Sequence, residues 1–157
     1  RETGAAILIH PGRNEAAPFQ ILDTLAEAGA DLNRVIMGHV DRTVLNMHMI
    51  VDLARRGCYI EFDVFGRETS YYPLSDVDMP NDAQRIGFIK GLIEAGHASQ
   101  IVIAQDICTK DRLVKYGGHG YHHILENIVP RMREAGISQD DIDSILVANP
   151  ARILTFA

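Results

Sequence analysis

Three things are scarce in this chain, and each scarcity removes a class of function. Of its 157 residues only two are cysteine, Cys58 and Cys108. They form no Cys-x-x-Cys pair, so no disulfide scaffold is encoded, and a reducing, cytoplasmic compartment is the default expectation. Both thiols are expected as small buried apolar residues. Positive charge is also in short supply: 15 Lys and Arg against 21 Asp and Glu give a net charge of -6 and a pI near 5.6. A nucleic-acid partner is excluded on that balance, because phosphate backbones are bound by basic surfaces. Long apolar runs are missing as well. None approaches the roughly 18 residues of a membrane span, and the opening Arg-Glu-Thr-Gly has no signal-peptide pattern. What remains, 46% hydrophobic and 23% charged, is the composition of a globular chain with one core.

Short apolar runs are plentiful, and they end alike. Ala-Ala-Ile-Leu-Ile-His10, Val-Ile-Met-Gly-His39 and Ile-Val-Ile-Ala-Gln-Asp106 each finish on a residue type that binds metals. A fourth run, Cys-Tyr-Ile-Glu-Phe-Asp63, finishes on another carboxylate. Short β-branched runs of this kind read as parallel strands buried on both faces. The carboxyl ends of such strands are where barrel enzymes keep their chemistry.

Between the runs a helical unit recurs. The segments 17–28, 44–56, 82–95 and 121–135 carry apolar residues at three- and four-residue intervals, and each is followed by a glycine: Gly29, Gly57, Gly96 and Gly136. Glycine just past a helix takes the left-handed position without strain. His10 and His39 stand 29 positions apart, about one βα unit. The fold class is therefore α/β, with four parallel βα units. Arg1-Glu-Thr-Gly4 has the form of another helix end, and four strands are half of a closed barrel, so residues 1–157 are expected as one partial domain, the C-terminal half of a (β/α)8 barrel. A half-barrel that pairs with its own copy as a homodimer stays open. Ser138 followed by acids, and Asn149 followed by Pro150, read as caps of closing helices.

Two imidazoles and a carboxylate at strand ends suit zinc and related divalent ions. Such an ion activates water and polarises a carbonyl or phosphoryl oxygen, and a nearby carboxylate takes the proton. Asp106 fits both ligand and base.

The runs Ile9-His-Pro-Gly-Arg-Asn14, Met37-Gly-His-Val-Asp-Arg-Thr43 and Ala104-Gln-Asp-Ile107, with Lys115-Tyr-Gly-Gly-His-Gly-Tyr121 and Asn149-Pro150, resemble the phosphotriesterase-related proteins of the amidohydrolase superfamily. The resemblance runs through essentially the whole chain. It implies a (β/α)8 barrel of which these are strands five to eight, two zinc ions per complete barrel, and hydrolysis by a metal-bridging hydroxide. His10 and His39 would bind one metal; Asp106 would bind the other and take the nucleophile's proton. The family's remaining ligands, an HxH pair and a bridging Lys or Glu, have no counterpart in these residues, and the chain alone is expected to be inactive.

The family's organophosphate hydrolases carry a proton relay through a His and an acid, at positions that here look to be Val64 and Arg42. A relay cannot run through Val and Arg. The related branch resembles amide hydrolases acting on small N-acylated acids, N-acetyltaurine among them. Arg13 and Arg42, each three residues beyond a His, suit a sulfonate or carboxylate on a small anionic substrate. Tyr71, in the long 64–81 connection, and His119, in a glycine-rich loop, are the other candidate substrate contacts. His122 and His123, adjacent on a helix and about 100° apart, do not face one ion and read as solvated or packing residues. A lactonase or phosphoester hydrolase on the same site, and a non-catalytic half-barrel acting as a binding module, stay open as alternatives.

Overall fold

A computed structural model describes residues 3–69, 71–76 and 78–156. The first two residues of the expected helix end at 1–4 lie outside the described residues. Four strands, β1 (Ile7–Ile9), β2 (Val35–Met37), β3 (Tyr59–Phe62) and β4 (Ile101–Ile103), form one parallel sheet in sequence order. The register pairs Leu8 with Ile36, Ile36 with Tyr59, and Glu61 with Val102. The strands are shorter than the apolar runs, so the polar residue ending each run stands one to three positions past its strand.

Helices return the chain between strands: α1 (Ala17–Glu27), a short α2 (Val40–Thr43), α3 (Met47–Arg55) and α4 (Asp82–Glu94). Asn46 accepts from the His48 N–H at the start of α3, and Asn81 with Gln84 forms a reciprocal cap on α4. Gly29, Gly57, Gly96 and Gly136 all have positive φ, between 75° and 98°, as the left-handed position after a helix requires.

Alternation along the strands gives the sheet two faces. Val35, Met37, Ile60, Phe62 and Ile101 pack with Leu22, Ile50, Leu53, Ile89 and Leu92 of the helices in the main core. The other face carries Ile36, Tyr59 and Val102 with Ile153, and Leu8 on it is 64% exposed. In a closed barrel this second face would line the interior.

The closing helices differ from expectation in one respect. Ser138 caps as expected, its hydroxyl accepting from Asp141 N–H at the start of α6 (Gln139–Asp143). Asn149, however, is no cap. A π turn at 144–148 carries the helix from α6 directly into α7 (Asn149–Leu154), and Asn149 has helical φ and ψ of -66° and -49°. Its amide instead donates across to the Ala98 and Ile101 carbonyls, both at 2.8 Å. A π turn at 124–128 likewise precedes α5 (Val129–Glu134) and Pro130. An interior proline lacks an N–H and crowds the carbonyl four residues back, and widening the preceding turn relieves both. Cys58 is buried, but Cys108 is exposed on the loop after β4, against the expectation for it. No described helix is long and apolar enough to cross a membrane.

Candidate active site

The corners after β2 and β4 are built from unusual backbone. His39 (φ 53°) and Asp106 (φ 44°) are the non-glycine residues with positive φ among the described residues. That region is sparsely populated by L-residues and persists only where the surroundings hold it. Arg112 helps to hold the second corner: its guanidinium donates to the carbonyls of Phe65 and Gln105, both at 2.8 Å. The first is held by Asp63.

Asp63 clamps His39 twice. One oxygen accepts from the His39 backbone N–H at 2.9 Å, the other from ring Nδ1 at 2.7 Å. An ionised carboxylate only accepts, so the His39 hydrogen sits on Nδ1 and Nε2 offers a lone pair. That lone pair points at His10, whose Nδ1 lies 2.7 Å away, with the rings edge to face. On the far side of His10, Nε2 stands 3.3 Å from Arg42 Nη2. Burial, then the charges of His39, Arg42 and Arg13, push the His10 pKa below its ordinary value, although Asp106 opposes them. The two imidazoles thus stand with ring nitrogens facing across the corner.

A cleft of about 350 Å³ opens beside the pair, lined by His10, His39, Glu61, Asp63 and Asp106. Two carboxyls meet here: Glu61 hydrogen-bonds to Asp63, and its pKa is pushed up to about 8 by burial first, then by the charge and hydrogen bond of Asp63. Asp106 lines the same cleft without joining the histidine contact. Among the described residues no three His, Cys, Asp or Glu side chains close around a single point.

The other candidates divide. Arg42 is buried beside the cleft, touching His10 and Thr43 Oγ1. Arg13 is exposed at the rim, and its Nε donates to the Tyr72 hydroxyl at 2.8 Å. Tyr71 is 78% exposed and turned away; Tyr72 is the inward residue, packed with Val64 and Met79. Adjacent residues on an extended segment face opposite sides, and the sequence offers no sign of which. His119 is exposed and stacks on buried His123 at 4.2 Å between centroids, apart from the cleft. His123 has both nitrogens engaged, by Asp82 at 2.8 Å and Asn127 at 3.0 Å, and is a packing residue.

A buried ion network beneath the site was not legible in the sequence. Arg85 of α4, fully buried, donates to Asp41 at 2.9 Å, to Asp82 at 2.7 Å and to the Arg67 carbonyl at 2.8 Å. It locks α2 and the loop after β3 to α4. Asp41 also accepts from Val64 N–H at 3.2 Å, while its other oxygen is buried without a partner. Burial, then the charge of Asp63, pushes Asp41 up to about 6 against the pull of Arg85. Asp63 itself had a signal, since it ends its run as the three candidate ligands end theirs; Asp41, Glu61 and Arg85 had none.

The chain is 53% identical over 156 residues to the N-acetyltaurine hydrolase of Dictyostelium discoideum, covering 99% of this chain and 42% of that protein. It is 53% identical to the phosphotriesterase-related protein of Nematostella vectensis, again over 99% of this chain and 45% of the other. The chain therefore spans a little under half the length of these relatives. Among solved structures, the phosphotriesterase homology protein from Escherichia coli, complexed with phosphate in its active site, superposes with a TM-score of 0.84 at 31% identity, covering 98% of this chain and 49% of that one. The profile of the Phosphotriesterase family matches residues 1–154. The chain belongs to the Phosphotriesterase family.

Proposed function

We propose that these residues form strands five to eight of a (β/α)8 hydrolase that works with divalent metal, two zinc ions per barrel, on small N-acylated amino or sulfonic acids such as N-acetyltaurine. The observation that carries the reading is the His10–His39 contact. Two imidazoles face each other across 2.7 Å, one of them pinned by a carboxylate on its other nitrogen. Metal-binding histidines are held in this way, with the far N–H on a carboxylate that fixes the tautomer. The donor set, two imidazole nitrogens with Asp106 in the same cleft, suits zinc. His10 and His39 would hold such an ion through these two facing nitrogens.

When bound, the metal supplies Lewis-acid activation of water and polarisation of the scissile carbonyl. The chain's own residues do the rest. His10 and His39 would hold the ion. Asp106, on the left-handed corner after β4, would take the proton from the attacking water and return it to the leaving amine. With Nδ1 given to an ion, His10 would carry its hydrogen on Nε2 and no longer accept from Arg42, leaving the guanidinium for the substrate's sulfonate or carboxylate. Arg13, fixed by Tyr72, adds a second cation at the rim.

The test compares the full-length protein on N-acetyltaurine, a neutral lactone and a phosphotriester, before and after chelation. The amide is expected to turn over fastest, activity to disappear with the metal and to return with zinc. Arg42→Ala should lower kcat/KM for the charged amide about tenfold or more, a loss of at least about 1.4 kcal/mol of transition-state binding, and barely touch the lactone. Faster lactone turnover, or amide turnover that survives chelation, would overturn the proposal.

A further inference from the structure

We infer that Glu61 is a positioning residue for the metal-binding histidine: its carboxyl O–H donates to Asp63 and keeps both Asp63 oxygens turned toward His39. The inference rests on the metal reading above for its consequence, but on separate geometry for its premise.

Alternation along β3 puts Tyr59, Glu61 and Asp63 on the face opposite α1, α3 and α4, so Glu61 lies one layer below Asp63. Its carboxyl is in hydrogen-bonding contact with Asp63 and lines the same cleft as His10, His39 and Asp106. Asp63 already accepts the His39 backbone and ring N–H groups. Two ionised carboxylates do not hydrogen-bond each other; one must carry a proton. Asp63 faces two donors, so the proton belongs to Glu61. The order is then fixed: Glu61 O–H to Asp63, Asp63 to the His39 Nδ1–H, His39 Nε2 to the cleft.

Gly38 makes room for this stack. A Cβ on Gly38 would lie 3.1 Å from Glu61 Oε2, 3.2 Å from Asp63 Oδ2 and 2.8 Å from the Ile9 carbonyl oxygen. The last contact is with backbone and cannot give way, so a side chain there would part β1 from β2 and crowd the carboxyl pair. The glycine before His39 is thus required by the approach of β1 to β2, and it leaves room beside the carboxyl pair.

The groups that act on Glu61 are Asp63 on its own strand, Asp41 of α2 and Asp106 beyond β4, all acidic, with His10 and His39 lining the cleft. Every carboxylate among them favours the protonated form, in which Glu61 is a donor.

Glu61→Gln keeps a donor, an amide N–H, while Glu61→Leu removes it at similar size. In the full-length protein Glu61→Gln should stay within about twofold of wild type in zinc affinity. Glu61→Leu should lose about tenfold, the lower end for a group that orients a ligand, with kcat falling and KM nearly unchanged. The second readout needs no metal. In the metal-free protein the hydrogen-bonded His39 Nδ1–H gives a downfield proton resonance. It should persist in wild type and Glu61→Gln and be lost to solvent exchange in Glu61→Leu. Titration through about pH 8 should shift it in wild type but not in Glu61→Gln. Failure of the wild type to bind zinc sinks the metal reading and leaves this resonance to decide the role of Glu61. A Glu61→Leu resonance like wild type, or Glu61→Gln as damaging as Glu61→Leu, would overturn the assignment.

Discussion

Replacing Arg85 with Met should destabilise the protein by about 3–5 kcal/mol at neutral pH, the range for removing one partner of a buried ion pair. Arg85 has no exposed side-chain surface and makes three donor contacts, each 2.7 to 2.9 Å long. Methionine fills much of the volume, so the loss is chiefly electrostatic. Asp82 is partly compensated, since the Gly66 N–H and His123 also bond to it. Burial works to raise the Asp82 pKa, but these bonds and Arg85 outweigh it and hold the carboxyl below its ordinary value. Asp41 is worse placed, left with the Val64 N–H alone. The penalty must therefore depend on pH, with a definite sign. The folded Asp41 pKa, about 6, already lies above the ordinary 3.8, so its contribution to stability is greatest below about pH 4 and declines as pH rises through 6. Without Arg85 that decline extends to higher pH. Urea unfolding of wild type and variant near pH 5 and pH 8 measures it: a smaller penalty at the lower value, where the Asp82 pair is still lost, and a larger one at the higher. A penalty below about 1 kcal/mol at both, well under the buried-pair range, would refute the claim that Arg85 is the counter-charge on which the network depends.

Asp63→Ala removes both clamps on His39 and should lower zinc affinity by about 10- to 100-fold, measured by competition with a chromogenic chelator. Asn149→Ala leaves the Ala98 and Ile101 carbonyls without their donor and should cost about 1–3 kcal/mol in urea unfolding. In the native protein a thiol reagent should label Cys108 and spare Cys58, which should react only in denaturant. Cys58 is buried, and burial pushes its thiol up to about 12.

The strands and helices were legible because their signals are periodic and local. Apolar runs ended where the chain leaves the sheet, and the four glycines after helices took the positive φ that their placement required. Relations across elements were not legible. Arg85 reads in sequence as one more charged residue on a helix, and only the packing of α4 against α2 and the loop after β3 shows it buried between two carboxylates. Asn149-Pro150 shows the limit in reverse. Its local signal is a good cap, yet the helix arriving from α6 widens by one residue per turn and continues through it. Tyr71 and Tyr72 are chemically equal in the sequence, and their side of the loop decides which one meets Arg13.

The left-handed corners at His39 and Asp106 restrict what engineering can place there. Side chains branched at Cβ are disfavoured at such angles, whereas Asn, Asp and His tolerate them. Saturation libraries at these two sites should return a far shorter alphabet than coordination chemistry alone would accept, with Glu and Cys scarce despite being competent zinc donors. Altering the metal preference of this scaffold therefore begins with rebuilding its turns.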